Sequence, residues 1–329
     1  SYKIKIMSNK NNEILNRKEE AKRVEYSLIP PFPKEFLIDI TSLCNHTCSF
    51  CSNRKMANKK NADPNLVYRI LEEAQKEGSN SVGLYATGEP FLNKNLEDFI
   101  KYAKKIGYTY VYITTNGAAC TPKRMEKAIN NGLDSIKFSI HGGTSETYEK
   151  IHGKNDFERV IKNLQWVSEF RKKNKIDLKI YVTMVETFEN SPETEKLKNL
   201  VSPYIDGWDP HLMNNSCGTM PENNEIGEVR EKNIRGREHA GVCFQPFGSF
   251  TVTPEGYLSG CVLDYHKALI LGDCNKKSLR ELWESEVYQN WRRRHLEDKT
   301  KGYICYNCIY NKNEKYDSII PGTLEKPIE

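Results

Sequence analysis

Three thiols fall within eight residues at Cys44-Asn45-His46-Thr47-Cys48-Ser49-Phe50-Cys51, spaced C-x3-C-x2-C. Thiolates this close can face one point, which suits a soft metal centre. Three is an odd number for a closed structural site, since zinc fingers and ordinary ferredoxin-type clusters take four protein ligands. A four-iron cluster on three cysteines keeps one iron open to a small molecule. A zinc knuckle or plain buried thiols are the competing readings.

A second set follows late in the chain: Cys243, Cys261, and the pair Cys305-Tyr306-Asn307-Cys308. Cys261 closes a hairpin pattern over 250–261, with its turn near Pro254–Gly256 and the spacing G-x4-C from Gly256. Ser278, three residues before Glu281, reads as a helix N-cap. Cys274 is left over and reads as a small buried residue. Ten cysteines among 329 residues do not make a small disulfide scaffold. Clustered as they are, with no export signal, they point to metal binding in a reducing cytosol.

The elements that must carry these residues show a βα rhythm from Glu35 onward. Short apolar runs predict strands at 35–40, 81–86, 109–115, 134–140, 177–185 and 207–213. Helical periodicity fits 64–78, 93–106, 121–131, 144–173 and 192–201. Six such units make an α/β fold, an incomplete parallel barrel, in which chemistry gathers at the C-terminal strand ends. The expected organisation is an N-terminal arm over 1–34, a barrel over 35–221, a charged linker or exposed helix over 222–242, a cysteine module over 243–310 and a tail over 311–329. At 28% charged and 38% hydrophobic residues, the chain reads as globular, with no apolar run of membrane-spanning length. A net charge of +5 is modest for this length and argues against a dedicated nucleic-acid binder. The run Trp291-Arg292-Arg293-Arg294-His295 reads as a solvated helix face more readily than as a phosphate site.

The cysteine loop, with aromatic Phe50 just before the third thiol, resembles the radical S-adenosylmethionine (radical SAM) superfamily. The resemblance implies a partial (β/α)6 barrel and a [4Fe–4S] cluster on Cys44, Cys48 and Cys51 that binds SAM. It also implies SAM contacts after successive strands. Gly88-Glu89-Pro90 matches the segment that meets the methionine amino group. Asn116, in Thr114-Thr115-Asn116-Gly117, lies where relatives line the SAM side. Ser139 holds the position of a serine that reaches the ribose. His152 stands where relatives often carry an arginine for the SAM carboxylate, with Lys154 as its substitute. Thr183 and Met184 lie where relatives contact ribose or adenine. His141 replaces a frequent aspartate and takes no assigned role.

The second cysteine set resembles the SPASM/twitch extension of the same superfamily. No cysteine follows Cys308, so the shorter twitch form fits. It implies one auxiliary [4Fe–4S] cluster on Cys243, Cys261, Cys305 and Cys308. The same four thiolates would suit zinc. The resemblance further implies an electron donor such as flavodoxin or ferredoxin, and the lack of a long apolar run adds the expectation of no membrane partner. The expected activity is reductive cleavage of SAM to a 5′-deoxyadenosyl radical. That radical then removes hydrogen from a small polar, sugar-like or nucleotide-linked substrate, ending in dehydrogenation or epimerisation. Modification of a ribosomally made peptide is the second reading, to which an arm as short as 1–34 is poorly suited. A non-catalytic metal protein is the third. Cys217 follows the sixth strand and belongs to neither cysteine set. At the barrel mouth it would be a catalytic hydrogen donor to a substrate radical.

Overall fold

The computed structural model describes residues 24–228 and 242–328. Most of the expected arm and linker therefore lies outside the described residues. Among the described residues nine strands form one sheet in the order β6-β5-β4-β3-β2-β1-β7-β8-β9. Strands β1 (Glu35–Ile38), β2 (Ser81–Gly83), β3 (Tyr110–Thr115), β4 (Ser135–Ser139), β5 (Lys179–Glu186) and β6 (Gly207–Leu212) are all parallel. Each lies within a stretch expected from sequence, trimmed at its ends or extended by one residue.

Strand periodicity sorts the side chains. Ile136, Phe138 and Ile140, and on the next strand Ile180, Val182 and Met184, are fully buried. They meet the amphipathic helices, because alternate residues of a strand share one face. The helices are α1 (Pro64–Lys76), α2 (Leu96–Lys105), α3 (Pro122–Asn130), α4 (Ser145–His152), α5 (Phe157–Asn174) and α6 (Thr194–Val201). Their starts are chemically marked. Asp63 accepts from Asn65 N at 2.7 Å ahead of Pro64, and Thr121 caps α3 ahead of Pro122.

The single helix expected over 144–173 is two helices. Gly153 ends α4 in the left-handed conformation (φ 73°), and Asp156 begins α5. The break lets the C-terminal end of α4 turn inward under the cysteine loop.

The C-terminal hairpin is not a separate sheet. Strand β7 (Thr251–Val252) pairs in parallel with β1 through Leu37↔Thr251 and Ile38↔Val252. Strands β8 (Tyr257–Ser259) and β9 (Ile270–Asp273) continue antiparallel. Three helices follow, α7 (Leu279–Trp283), α8 (Glu286–Leu296) and α9 (Ile304–Tyr310). Ser278 and Glu281 form the capping box of α7. Arg292 of the basic run is fully buried, its guanidinium 4.1 Å from the Trp283 ring and 3.9 Å from Tyr288. It donates to the carbonyls of Leu28, Pro246 and Trp283. It therefore braces the module and is not part of a solvated face. Among the described residues no helix is long and apolar enough to cross a membrane.

Candidate iron–sulfur and SAM site

The cysteine loop leaves the end of β1 and is held by backbone bonds from the end of α4. Thr47 N donates to His152 O at 3.1 Å, and Ser49 N to Ile151 O at 2.8 Å. Each thiol has a polar neighbour from a different element. Cys44 Sγ accepts from Asn116 Nδ2 at 3.9 Å, Cys48 Sγ lies 3.6 Å from His152 Nδ1, and Cys51 Sγ lies 3.8 Å from the Tyr265 hydroxyl. Burial pushes all three thiols up, Cys44 to about 11, and for Cys44 and Cys48 the neighbouring thiols add to the effect. Three crowded, half-buried thiols need a cationic centre to be stable as thiolates. That donor set fits an iron cluster. His46, Cys48 and His152 also have ligand atoms within 4.8 Å of one another. The two histidines are, however, engaged elsewhere.

They form a relay of one polarity. His141 N donates to His152 Nε2 at 3.2 Å, so His152 carries its proton on Nδ1, 3.2 Å from His46 Nδ1. His46 Nε2 in turn lies 3.0 Å from Asp156 Oδ2. Burial, then the neighbouring histidines, pushes His152 well below its usual range, which keeps it neutral. Its ring stacks on Tyr148 at 3.9 Å and on His141 at 4.9 Å. The expected role of His152 as a SAM carboxylate donor does not match this geometry. Both ring nitrogens are spent inside the protein, and the ring backs the cysteine loop. Lys154 is exposed.

Gly88, Glu89 and Pro90 act as a clamp. Glu89 N donates to Leu43 O at 2.8 Å, which ties the turn to the chain entering the cysteine loop. A Cβ on Gly88 would meet Thr41 O at 2.3 Å and Leu43 O at 2.5 Å, so only glycine fits. The buried Glu89 carboxylate accepts from Phe91 N at 3.0 Å, Thr115 Oγ1 at 2.7 Å and Asn116 N at 2.7 Å. Pro90 opens the short turn that follows. Glu89 thereby fixes the β2 and β3 loops to each other. Burial outweighs the three donors and lifts its carboxyl to about 7. Asn116 also donates to Asn45 Oδ1 at 2.9 Å, so the β3 loop grips the cysteine loop directly.

The remaining expected SAM contacts lie around the barrel. Phe50 sets its ring 5.0 Å from His141. Ser139 and Thr183 are register partners across β4 and β5, and Thr183 Oγ1 donates to Asp209 O at 2.8 Å. Met184 has the opposite parity and is buried towards the helices, so it cannot reach a ligand inside the barrel. The inner face carries polar groups not anticipated from sequence. Asp209 Oδ2 is 3.2 Å from both Lys137 Nζ and His211 Nε2. Thr114 Oγ1 and Asp39 Oδ1 are buried with no hydrogen-bond partner among the described residues. Polar residues alternating with Ile136, Phe138 and Ile140 were the available signal for Lys137. Tyr265 and Asp156 had none.

The second cysteine set assembles beside this centre. Cys305 and Cys308, three apart on α9, share a helix face, and burial first, then the neighbouring Cys243, Cys261 and Cys308 thiols, push the Cys305 thiol up. Leu263 N donates to Cys261 Sγ at 3.4 Å. Asp264 braces the Cys261 loop, accepting from Ala268 N and Leu269 N at 2.8 Å each. Cys274 is buried in the core. Cys217 does not stand apart from both sets. Its thiol is hydrogen-bonded with those of Cys261 and Cys308 and is 2% exposed. Five thiols thus gather here, from the β6 loop, the segment before β7, the hairpin and α9.

The comparisons with known proteins agree with this two-centre geometry. The family model for the radical SAM superfamily matches residues 38–201, and that for an iron–sulfur cluster-binding SPASM domain matches 243–309. A "Probable GTP 3′,8-cyclase" of Saccharolobus solfataricus is 30% identical over 138 residues, covering 40% of this chain and 42% of that protein. The chain thus matches under half the length of that relative. An S-adenosyl-L-methionine-dependent 2-deoxy-scyllo-inosamine dehydrogenase of Niallia circulans is 21% identical over 86% of this chain and 96% of its own. Among solved structures, BtrN in complex with AdoMet and 2-DOIA is similar at TM-score 0.58 and 19% identity, over 87% of this chain and 97% of that one. Streptococcus suis SuiB bound to precursor peptide SuiA is similar at TM-score 0.64 and 16% identity, over 88% and 74%. Both likenesses concern the fold. The two domains imply SAM, a SAM-binding [4Fe–4S] cluster and an auxiliary cluster. With its three-thiol loop braced by α4, the β3 loop and the hairpin module, the chain belongs to the radical SAM superfamily and carries a C-terminal SPASM iron–sulfur domain.

Proposed function

We propose that this enzyme removes a hydrogen atom from a small, polar, sugar-like molecule and that the outcome is dehydrogenation. Cys44, Cys48 and Cys51 would hold the cluster, which would supply the electron for reductive cleavage of SAM. The chain's own residues do the rest. Asn116, His152 and Tyr265 orient the thiols, because hydrogen bonds to ligand atoms fix both geometry and potential. Glu89 locks the β2 and β3 loops around them.

The observation that carries the substrate class is the Lys137–Asp209–His211 group on the inner strand face. Charged and hydroxyl-bearing side chains on that face suit a hydroxylated or amino-bearing ligand, and covering the buried Asp209 with an apolar one would be costly. The near full-length likeness to a 2-deoxy-scyllo-inosamine dehydrogenase supports the same class. The burial of Cys217 against Cys261 and Cys308 supports dehydrogenation over epimerisation, since a hydrogen donor must reach the substrate carbon.

The test is an anaerobic assay with reductant, SAM and a panel of carbon-deuterated aminocyclitols and sugars, followed by mass spectrometry. Deuterium should enter 5′-deoxyadenosine with one member of the panel, and that substrate should end two electrons oxidised. Transfer from a peptide instead of any polyol would replace this reading. So would a product that, from unlabelled substrate in deuterated water, has gained deuterium at the reacting carbon.

A further inference from the structure

The loop Asn214–Met220 is held more firmly than a connection needs to be. Ser216 (φ 46°) and Cys217 (φ 60°) both adopt the left-handed backbone ahead of Gly218 (φ 83°). Two adjacent non-glycine residues there are strained, and such strain persists only where the surroundings enforce it. Here they do. Asn215 Nδ2 donates to Asn307 O at 2.9 Å, on the helix turn between Cys305 and Cys308. Gly218 lies so close to that residue that a Cβ would sit 2.4 Å from Asn307 Cβ. From the other side, Thr219 Oγ1 lies 2.8 Å from Ser52 Oγ, next to Cys51. The strained turn delivers the Cys217 thiol between Cys261 and Cys308, sealed from solvent.

A disposable side chain is not usually positioned at such cost, least of all a thiol among thiols. We infer that the auxiliary centre is a five-thiol site in which Cys217 is an iron ligand, interchangeable with Cys243 at one corner. The inference rests on the auxiliary-cluster assignment. Binding an iron at Cys217 exchanges one thiolate for another, with release of the Cys217 proton and uptake of one by Cys243. No electron moves.

The test uses the full chain carrying Cys44→Ala, Cys48→Ala and Cys51→Ala, reconstituted anaerobically so that only the auxiliary centre can hold iron. Into it go Cys243→Ala, Cys217→Gly and the pair together, each read by iron count and Mössbauer and EPR spectra. Cys217→Gly relieves the left-handed backbone, so an unchanged or raised melting temperature of the apoprotein separates ligand loss from unfolding. Cys243→Ala should retain about four irons per chain with a shifted reduced-cluster EPR signal. The double variant should drop to a three-iron or empty site. Two results would overturn the inference: Cys243→Ala losing as much iron as the double variant, or the double variant retaining a full cluster. A parent triple variant with no iron at all would remove the auxiliary cluster and the inference together.

Discussion

Asp39 shows how single groups near this centre are set by burial. It sits at the end of β1, accepts a hydrogen bond from Thr87 Oγ1, and leaves Oδ1 without a partner. Burial lifts its carboxyl to about 7. A carboxyl raised in the folded state adds stability below its unfolded value, near 3.8, and loses it as pH climbs through about 7. Asp39→Asn keeps the shape and removes the charge. Apoprotein carrying it should match the parent near pH 4 and exceed it above pH 8, by about 4 kcal/mol. Parallel urea titrations across that range check this, and identical pH profiles would show that Asp39 is not buried as a neutral acid. Asp209 is expected to act on substrate and not on SAM. Asp209→Asn should lower kcat/KM for the true substrate by about 10- to 100-fold, the worth of one charge-assisted hydrogen bond. The slow substrate-free release of 5′-deoxyadenosine should be unaffected. An equal fall in both rates would move Asp209 into the SAM site.

The turn after β2 and the broken helix over 145–174 show how elements, and not only ligands, make the centre. The turn needs glycine at position 88 because the backbone before Cys44 passes within van der Waals contact. Gly88→Ala should therefore push the cysteine loop out of place without touching the barrel core. Reconstituted protein should lose roughly half its iron, about four of eight atoms, while its far-UV circular dichroism stays that of the parent. Full iron content in that variant would mean that the loop tolerates the added methyl. The break at Gly153 has the complementary task. It aims His152 at the thiols, and the relay through His46 to Asp156 then locks the tautomer.

Across the molecule, the hairpin module is more than an appendage. It extends the barrel sheet beyond β1, places Tyr265 on Cys51, and clasps the β6 loop through Asn307. Burial first, and Cys51 second, push the Tyr265 phenol up, so it keeps its proton and can donate to a thiolate. A donor to sulfur favours the reduced, more negative cluster. Tyr265→Phe should lower the reduction potential of the first cluster by tens of millivolts, where about 60 mV corresponds to tenfold in a one-electron equilibrium. Potentiometric EPR of the loaded protein measures it directly. An unchanged potential would mean that the hairpin module only covers the first centre and does not tune it.

Local chemistry made much of this legible in one dimension. The C-x3-C-x2-C spacing, the six strand patterns, the Ser278 cap and the G-x4-C turn depend on residues close in sequence, and each stands where local pattern put it. What depended on the tertiary structure joins residues far apart. His152 meets Cys48 across 104 positions, Tyr265 meets Cys51 across 214, and β7 lies against β1. Local periodicity reports which face of an element is apolar, not which distant element covers it. That is why His152 read as a SAM ligand, Met184 as a pocket residue and Cys217 as a lone thiol. Their partners are set by how the α4 break, strand parity and the α9 clasp close in three dimensions, and only the folded chain brings those together.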